Sequence, residues 1–170
     1  REALASLRGT ARVECVDPPA RARGLRSLLR MHALLERLEP DLLLTYNWGS
    51  FDAVLAARRL RGVPLLHHED GFNADEAARQ KMRRVLARRL ALPRAQKVIV
   101  PSQRLARIAR ESWRIDPARL ELIPNGIDAE RFVPSGQPSR LRRELGLAPA
   151  AVLVGAVGHL RPVKNLARLI

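Results

Sequence analysis

The fold is decided by Asp41-Leu42-Leu43-Leu44-Thr45-Tyr46, a short apolar run that lies between Pro40 and a polar loop. A run of this length and composition is typical of a strand buried in a parallel sheet. Three further runs of the same kind follow, at residues 63–67, 97–100 and 120–123. Helical patterns separate the runs, at residues 51–60, 75–92 and 102–113. The alternation predicts an α/β domain with a parallel sheet and helices on both of its faces.

Local signals predict where several helices begin and end. Apolar residues recur at helical spacing after Gly24, and Pro40 ends that helix. Ser50 and Ser102 stand where helix N-caps are expected, because a serine hydroxyl accepts a hydrogen bond from an amide of the first turn. Gly62 stands where the helix at residues 51–60 is expected to stop.

The charge of the chain favours anionic partners. Its 170 residues include 31 Lys and Arg against 17 Asp and Glu, for a formal net charge of +14. Such a balance suits nucleic acid, anionic lipid or nucleotide phosphates. Nucleic acid is disfavoured, because few aromatic residues are available for base stacking and no nucleic-acid-binding module is recognisable. An Arg-rich, Ala-rich composition shared by a whole proteome would produce the same charge without any specific partner.

The cysteine count bears on the cellular compartment of the protein, and the ends of the chain bear on whether it is part of a longer protein. The single Cys15 has no partner for an internal disulfide and no metal-ligating companions, which fits a reducing cytosol. No apolar run approaches the ~18 residues of a membrane span, and no signal peptide is visible. The chain begins with Arg1 and stops within a helical pattern at Ile170, so we expect an interior piece of a longer protein.

A further apolar run, Val152-Leu-Val-Gly-Ala-Val-Gly158, is followed by the basic residues His159, Arg161 and Lys164. It is predicted to be a buried parallel strand that leads into a helix start, where backbone N–H groups attract anions. With three basic side chains around one small volume, a phosphate group is the predicted ligand. The spacing matches neither G-x-x-x-x-G-K-[ST] nor G-x-G-x-x-G. The alternative is a solvated turn whose basic residues only face water.

The polar loop from His67 to Asn73 follows the predicted strand at residues 63–67. Ligands bind beyond the carboxyl ends of the strands in a doubly wound sheet, so this loop is a candidate site. Its histidines and carboxylates offer a general base and acceptors for hydroxyl groups. Adjacent residues at a strand end point to opposite sides, so His67, His68, Glu69 and Asp70 cannot easily converge on a metal ion. In the alternative interpretation, one histidine is buried and hydrogen-bonded, and the carboxylates cap the next helix.

The segment at residues 79–90 carries Met82, Val85, Leu86 and Leu90 among many arginines. Helical spacing predicts these apolar residues on one side and the cations on the others, as in an ordinary amphipathic surface helix. Such a helix could also dock on an anionic membrane, where each basic residue near the lipid contributes about 1 kcal/mol.

Three motifs in the second half of the chain carry a family resemblance. They are Leu122-Ile-Pro-Asn-Gly-Ile-Asp128-x-x-x-Phe132-x-Pro134, Leu141-Arg-x-x-Leu145-Gly-Leu147 and Val157-Gly158-His159-Leu160-Arg161-Pro162-Val163-Lys164-Asn165. The stretches Pro40–Trp48, Val63-Pro64 and Val98–Ser102 add support. Together they resemble glycosyltransferase family 4, whose members are retaining, nucleotide-sugar-dependent enzymes with the GT-B fold. The resemblance covers the chain from about Pro40 to its end.

The resemblance implies two Rossmann-like domains. Residues 1–127 would form part of the N-terminal, acceptor-binding domain, and residues 150–170 would begin the nucleotide-sugar-binding domain. Residues 128–149 would be the linker between them, which is consistent with two proline-containing stretches around a short charged helix at residues 139–145.

The resemblance also implies a set of site residues. Catalytic roles near the transferred sugar fall on His67, His68 and Asp70, and an interdomain cleft falls on Asn125 and Gly126. Contacts to the donor diphosphate fall on Gly158, His159, Arg161 and Lys164. His159 stands where the family commonly has Arg, so Arg161 or a protonated His159 is expected to take that role. No metal or cofactor is implied, and the nucleotide-diphosphate sugar is a substrate.

The implied reaction moves a sugar to a glycan or lipid-linked acceptor with retention of configuration, in cell-envelope polysaccharide or glycolipid synthesis. The expected location is the cytoplasm at the inner face of the membrane, with peripheral contact to anionic lipid. We expect the piece itself to be inactive, because the family's paired glutamates would lie beyond Ile170. One alternative is a non-catalytic sugar-nucleotide or carbohydrate-binding module on the same fold, and another is a GT-B phosphorylase or epimerase.

Overall fold

The computed structural model describes residues 12–17, 19, 24–72, 76, 79–133, 140–148, 150–158, 160 and 164–168. These residues contain a four-stranded sheet made of β1 (Leu43–Tyr46), β2 (Leu65–His68), β3 (Lys97–Val100) and β4 (Leu120–Leu122). The strands lie side by side in sequence order, and all neighbouring pairs are parallel. The register pairs Leu43 with Leu65, and Val98 with both His67 and Leu120. The predicted parallel α/β sheet is confirmed.

Helices alternate with the strands. They are α1 (Leu25–Leu38), α2 (Phe51–Ala57), α3 (Met82–Ala91), α4 (Gln103–Glu111) and α5 (Arg140–Glu144). Short 3-10 turns lie at Trp48–Ser50, Leu92–Arg94, Pro117–Arg119 and Leu166–Arg168. Among the ranges that the structure describes, no helix is both long and apolar enough to cross a membrane.

The two predicted serine caps have different outcomes. The Ser102 hydroxyl accepts a hydrogen bond from the Leu105 amide at 3.3 Å, so the predicted cap of α4 is confirmed. The prediction that Ser50 caps α2 is wrong. Its hydroxyl accepts from the Tyr46 amide at 2.7 Å and donates to the Tyr46 carbonyl at 2.9 Å. The intervening 3-10 turn brings Ser50 back over the end of β1, within reach of these peptide groups.

The third helix begins later than predicted. Residues 79–81 are not helical and α3 starts at Met82, whereas the pattern predicted a start near residue 75 with acidic residues in the first turn. The Glu76 carboxylate accepts a hydrogen bond from the Lys81 amide at 3.0 Å. Glu76 therefore satisfies an amide at the start of α3 from outside the helix, where a negative charge is favourable.

The apolar core lies on one face of the sheet. Its buried residues come from strands β2 and β3 and from helices α2, α3 and α4, and include Leu65, Val98, Val100, Val54, Val85 and Leu105. Helices α2, α3 and α4 therefore pack on the same face. Strands laid in sequence order, with crossovers of one hand, place every connecting helix on that face. Leu44 and Tyr46 on the opposite face are exposed, so the described helices cover one face where the sequence predicted both.

Helix α3 presents a different side to the core than its apolar pattern predicted. Arg88 is fully buried and Val85 is buried beside it, while Met82, Leu86 and Leu90 are 66%, 56% and 59% exposed. Of the four apolar residues only Val85 faces the core, so the prediction of an ordinary amphipathic surface helix is wrong. The reason lies in the carboxylates that Arg88 meets inside the domain.

A buried ion network fixes the orientation of α3. Arg88 Nε donates to Glu69 Oε2 at 3.0 Å, and Arg88 Nη1 lies 3.7 Å from Glu76 Oε1. Arg84 Nη1 donates to Glu76 Oε2 at 2.6 Å. We refer to Glu69, Glu76, Arg84 and Arg88 as the buried ion network. Two carboxylates and two guanidinium groups balance each other's charge, and such pairing is the condition for placing ions in a core.

Aromatic rings enclose the buried Arg88 guanidinium. Its central carbon lies 5.1 Å from the Trp48 ring centroid, 5.7 Å from that of Phe72 and 5.0 Å from that of Trp113. A cation over an aromatic face is attracted by the ring quadrupole, most strongly where water is excluded. Trp48 also stacks on Phe51 with centroids 4.5 Å apart. The loops that follow β1 and β2 and the segment that follows α4 thus meet around one side chain.

The apolar run at Val152 does not form the buried strand that was predicted. Residues 151–157 have no regular secondary structure, and Val152, Val154 and Val157 are exposed. A strand needs a neighbouring strand to complete its hydrogen bonds, and within the described residues none pairs with this run. Helix α5 lies inside the predicted charged helix at residues 139–145.

Replacing Arg88 by Met tests the buried ion network. The change leaves Glu69 as an uncompensated buried carboxylate, so we expect the free energy of unfolding to fall by about 3–5 kcal/mol. Urea denaturation followed by circular dichroism measures this loss. The matched control is Arg83→Met, an exposed arginine of the same helix, for which we expect a change within about 0.5 kcal/mol. Similar losses for both variants would contradict a specific role for Arg88.

The lowered pKa of Glu76 predicts a loss of stability in acid. Burial alone would raise the pKa of this carboxyl, but hydrogen bonds from Arg84 and the Lys81 amide, with the charge of Arg88, hold it below its ordinary value. The unfolded state therefore binds more protons than the folded state. The contribution of Glu76 is complete above the ordinary carboxyl pKa of about 4.3 and is lost as the pH falls below it.

The urea midpoint, measured from neutral pH into this acid range, reports that loss. We expect the midpoint of Glu76→Gln to depend less on pH than that of the unsubstituted protein. Glu111→Gln, at an exposed position at the end of α4, is the control and should follow the unsubstituted protein. A pH dependence of Glu76→Gln that parallels the unsubstituted protein would show that Glu76 does not carry the effect.

Candidate functional site

Polar side chains from three strand ends meet at the carboxyl edge of the sheet. Tyr46 is the last residue of β1, His68 is the last residue of β2, and Asn125 follows β4. The register pairs Tyr46 with His68, and their rings make an edge contact with centroids 5.0 Å apart. The carboxyl edge is where parallel α/β sheets bind their ligands.

Asp70 is the centre of this group. Tyr46 Oη donates to Asp70 Oδ2 at 2.6 Å, and Asn125 Nδ2 donates to Asp70 Oδ1 at 3.4 Å. The Asp70 amide donates to Asn47 Oδ1 at 2.7 Å, and His68 Nε2 lies 3.8 Å from Asp70 Oδ1. We refer to Tyr46, Asn47, His68, Asp70 and Asn125 as the strand-end cluster.

Asn47 has an unusual backbone conformation. Its φ is 54° and its ψ is −176°, a combination that residues other than glycine rarely adopt. The Asn47 amide donates to the His68 carbonyl at 2.8 Å, and its side chain accepts from the Asp70 amide, so two hydrogen bonds hold it against the end of β2. Strained backbone concentrates at functional sites, which favours the strand-end cluster as the candidate site.

The strand-end cluster is open to solvent. Tyr46 and Asn125 are exposed, and the side chains of His68 and Asp70 are each about one-third exposed. A carboxylate, an imidazole and an amide at one edge offer both acceptors and donors to the hydroxyl groups of a ligand. The imidazole and the carboxylate are also groups that can take up a proton from such a hydroxyl.

The Tyr46 phenol acts in this cluster as a hydrogen-bond donor. Its hydrogen bond to Asp70, together with burial and the negative charge of Asp70, raises the pKa of Tyr46, against a smaller opposite effect of Asn47. The phenol is therefore protonated at neutral pH, since even its ordinary pKa is about 10. It occupies one oxygen of the Asp70 carboxylate and leaves the other facing His68 and Asn125.

Residues at the end of β2 and directly after it alternate between the core and the site. His67 and Glu69 are fully buried, whereas the partly exposed His68 and Asp70 belong to the strand-end cluster. His67 Nδ1 lies 2.8 Å from Thr45 Oγ1, and His67 Nε2 lies 3.6 Å from Glu69 Oε2. His67 thus matches the alternative interpretation of a buried, hydrogen-bonded histidine. Glu69 belongs to the buried ion network and does not cap a helix.

The structure brings together some of the predicted site residues. His68, Asp70 and Asn125 meet at the strand-end cluster, Gly126 follows Asn125 in an exposed position, and His67 lies in the core beneath them. Gly158 and Lys164 are exposed. His159 and Arg161 lie outside the described residues. Within those residues, no three His, Cys, Asp or Glu side chains are gathered so that they could hold a metal ion.

Tyr46 and Asn47 belong to the polar loop after the first predicted strand, a place to look for a ligand, but they were not among the predicted site residues. The signal that could have found them is the sheet itself, because the ends of adjacent parallel strands lie side by side and β1 is the neighbour of β2. The pairing of Glu69 with Arg88 has no comparable local signal, since the two residues are separated by a loop and half a helix.

Polar residues gathered at the carboxyl edge of a parallel sheet define a ligand-binding α/β domain. Sequence comparison adds the family, because the family model for Glycosyltransferase Family 4 matches residues 2–131. The chain therefore belongs to glycosyltransferase family 4, and its fold is the Rossmann-like type of GT-B proteins.

Curated relatives are similar over most of this chain. A D-inositol 3-phosphate glycosyltransferase of Actinosynnema mirum is 31% identical over 144 residues, which cover 81% of the chain and 34% of that protein. A UDP-Gal:alpha-D-GlcNAc-diphosphoundecaprenol alpha-1,3-galactosyltransferase of Escherichia coli is 28% identical over 148 residues, which cover 84% and 38%. A D-inositol 3-phosphate glycosyltransferase of Kribbella flavida is 26% identical over 146 residues, which cover 82% and 34%. The chain spans about a third of the length of these relatives.

Titration of Tyr46 tests the geometry of the strand-end cluster. We expect its pKa to lie above the ordinary value of about 10 and to fall towards that value in Asp70→Asn, which removes the negative acceptor. The ultraviolet absorbance of the phenolate, taken as the difference between the protein and Tyr46→Phe, isolates this residue. Asp116→Asn, an exposed carboxylate beyond α4, is the control. An unchanged pKa in Asp70→Asn would contradict the hydrogen bond.

Proposed function

We propose that the protein is a retaining glycosyltransferase that moves a sugar from a nucleotide-diphosphate donor to a glycan or lipid-linked acceptor. The observation that carries the proposal is the family match over residues 2–131. The strand-end cluster supports it, because the cluster lies where a sugar or its acceptor would bind to a doubly wound sheet and presents groups that recognise hydroxyls.

We assign the acceptor side of the reaction to the strand-end cluster. His68 and Asp70 are the partly exposed imidazole and carboxylate beside the reacting hydroxyl, and Tyr46 orients Asp70 through its 2.6 Å hydrogen bond. Asn125 and Gly126 line the cleft towards the donor. His67 acts through its neighbours, because it is buried and hydrogen-bonded to Thr45.

We assign the donor diphosphate to the segment that contains Gly158, His159, Arg161 and Lys164. The acceptor oxygen forms a bond to the anomeric carbon on the face from which the diphosphate leaves, and the acceptor proton passes to a diphosphate oxygen. Negative charge grows on the leaving group as its bond to the sugar breaks. Cationic side chains and backbone N–H groups stabilise that charge, so the proposed mechanism uses no metal and no cofactor.

A phosphorylated acceptor is consistent with the names of the relatives and with the positive charge of the chain. The names of two of these relatives include D-inositol 3-phosphate, and the name of the third includes a diphosphoundecaprenol-linked sugar. A chain with a net charge of +14 attracts anionic substrates to its surface. We propose a role in cell-envelope polysaccharide or glycolipid synthesis, in the cytoplasm at the inner face of the membrane. Residues 1–127 would bind the acceptor, 128–149 would link the domains, and 150–170 would begin the donor domain.

A transfer assay with the full-length protein tests the function. A panel of nucleotide-diphosphate sugars is offered with two acceptors, a phosphorylated polyol and a lipid-linked diphosphate sugar. We expect transfer to one of them with the anomeric configuration of the donor retained, which nuclear magnetic resonance of the product reads directly. Inversion would refute the retaining mechanism. Tight binding of a nucleotide sugar without transfer or hydrolysis would instead support a non-catalytic binding module.

Replacing Lys164 by Ala tests the assignment of the donor side. Loss of a donor to the charge that develops in the transition state typically lowers kcat by about 10²–10³-fold. We expect that loss in steady-state turnover of the full-length variant. Arg140→Ala, which removes an exposed cation that pairs with Glu144 in its own helix, is the control and should retain turnover. Near-normal turnover of Lys164→Ala would remove Lys164 from the mechanism.

A further inference from the structure

Helix α3 carries an exposed aliphatic stripe on the side that faces away from the sheet. Met82, Leu86 and Leu90 are spaced four residues apart, so they follow one side of the helix over about 12 Å. All three are more than half exposed. We refer to these three residues as the α3 stripe. An exposed apolar patch of this kind commonly marks an interaction site.

Only arginines accompany the α3 stripe at the surface of this segment. Between residues 79 and 94 the exposed residues are three aliphatic ones and three arginines, namely Met82, Leu86, Leu90, Arg79, Arg83 and Arg94. The sequence contains no Asp or Glu between Glu76 and Glu111. The segment therefore presents apolar groups and positive charge to solvent without a carboxylate of its own to neutralise them.

The buried ion network fixes the orientation of α3 that exposes the stripe. Rotation of α3 that turned the stripe inward would carry Arg88 out of its pairing with Glu69 and leave buried carboxylates uncompensated. The aromatic rings around Arg88 would lose their cation as well. The apolar side of α3 is thus held towards solvent by the charges on its other side.

We propose that the α3 stripe, with Arg79, Arg83 and Arg94, is a docking surface for an anionic lipid bilayer. The aliphatic side chains enter the boundary between headgroups and acyl chains, and lipid phosphates are reached by Arg83 on the helix and by Arg79 and Arg94 beyond its two ends. This pairing of an apolar stripe with a basic border is what an interfacial helix requires. The proposal extends the proposed function by naming a surface, and vesicle binding tests it without any transferase assay.

A lipid surface fits these observations better than a protein partner does. The uncompensated positive charge of Arg79, Arg83 and Arg94 opposes pairing of this surface with the same surface of a second copy. The hot spots of protein interfaces are commonly anchored by tryptophan or tyrosine and rarely by leucine, whereas two of the three exposed apolar residues from 79 to 94 are leucines and none is aromatic. Basic side chains gain affinity from every anionic headgroup near them and need no matched acidic patch.

The position of α3 places a docked membrane close to the strand-end cluster. The helix follows β2, so its N-terminal end lies on the side of the sheet where β2 ends and the strand-end cluster begins. Two hydrogen bonds fix the position of this end. Glu76 accepts one from the Lys81 amide, and Trp113 Nε1 donates the other to Gln80 Oε1 at 2.8 Å. A membrane that contacts Met82 and Arg83 therefore lies close to the edge where the proposed acceptor binds.

Vesicle co-sedimentation of the full-length protein tests the docking surface. The probes are vesicles of phosphatidylcholine mixed with phosphatidylglycerol, and vesicles of phosphatidylcholine alone. We expect binding to the anionic vesicles that weakens with added salt. The variant M82S/L86S/L90S should bind at least tenfold more weakly, and R79Q/R83Q should lose about fivefold for each arginine. The matched control is L25S/L29S, which removes two exposed leucines from α1 and should bind like the unsubstituted protein.

Three outcomes would overturn the proposal. The first is equal binding of anionic vesicles by the unsubstituted protein and M82S/L86S/L90S when both have the same urea midpoint. The second is the absence of vesicle binding by the unsubstituted protein. The third is a change from dimer to monomer in M82S/L86S/L90S by analytical ultracentrifugation, which would make the stripe a protein interface. Transfer to a water-soluble acceptor, measured without vesicles, should be the same in every variant, so loss of docking and failure of the proposed function remain distinguishable.

Discussion

The ion pair between Arg88 and Glu69 is the interaction on which the rest of the structure depends. Both side chains are fully buried, and the 3.0 Å hydrogen bond joins the middle of α3 to the residue directly after β2. A buried charge is tolerated only when a partner compensates it, so this pair leaves α3 one way to lie on the sheet. Glu76 and Arg84 complete the charge balance, and Trp48 and Trp113 exclude water from it.

The same pair organises the candidate site, because the core and the site share one short segment. Successive residues at the end of β2 and directly after it point to opposite sides. Holding Glu69 inward therefore directs its neighbours His68 and Asp70 outward, where Asp70 meets Tyr46 and Asn125. The positioning of a partly exposed carboxylate at the carboxyl edge thus follows from a charge pair in the core. Residues that never contact a ligand can in this way set the geometry of those that do.

The orientation of α3 also has an outward consequence. With Arg84 and Arg88 drawn inside by carboxylates, the helix presents Met82, Leu86 and Leu90 to solvent, which reverses the usual division between an apolar core and a polar surface. The cost of rotating the helix is the loss of the ion network, so the apolar side cannot be hidden by a small rearrangement. One set of charges therefore accounts for the packing of α3, for the site beside it and for the character of its exposed side.

The sequence by itself determined the parallel α/β architecture, because short apolar runs and helical spacing are local properties that each segment carries alone. It also located the loop after β2 and predicted that His67, His68, Glu69 and Asp70 would alternate in direction. Only the tertiary structure decided which side of α3 is buried, since the carboxylates that pair with its arginines lie outside the helix and its periodicity cannot report them. The meeting of Tyr46 and Asn125 at Asp70 was likewise decided in three dimensions, because strand order and register set those distances.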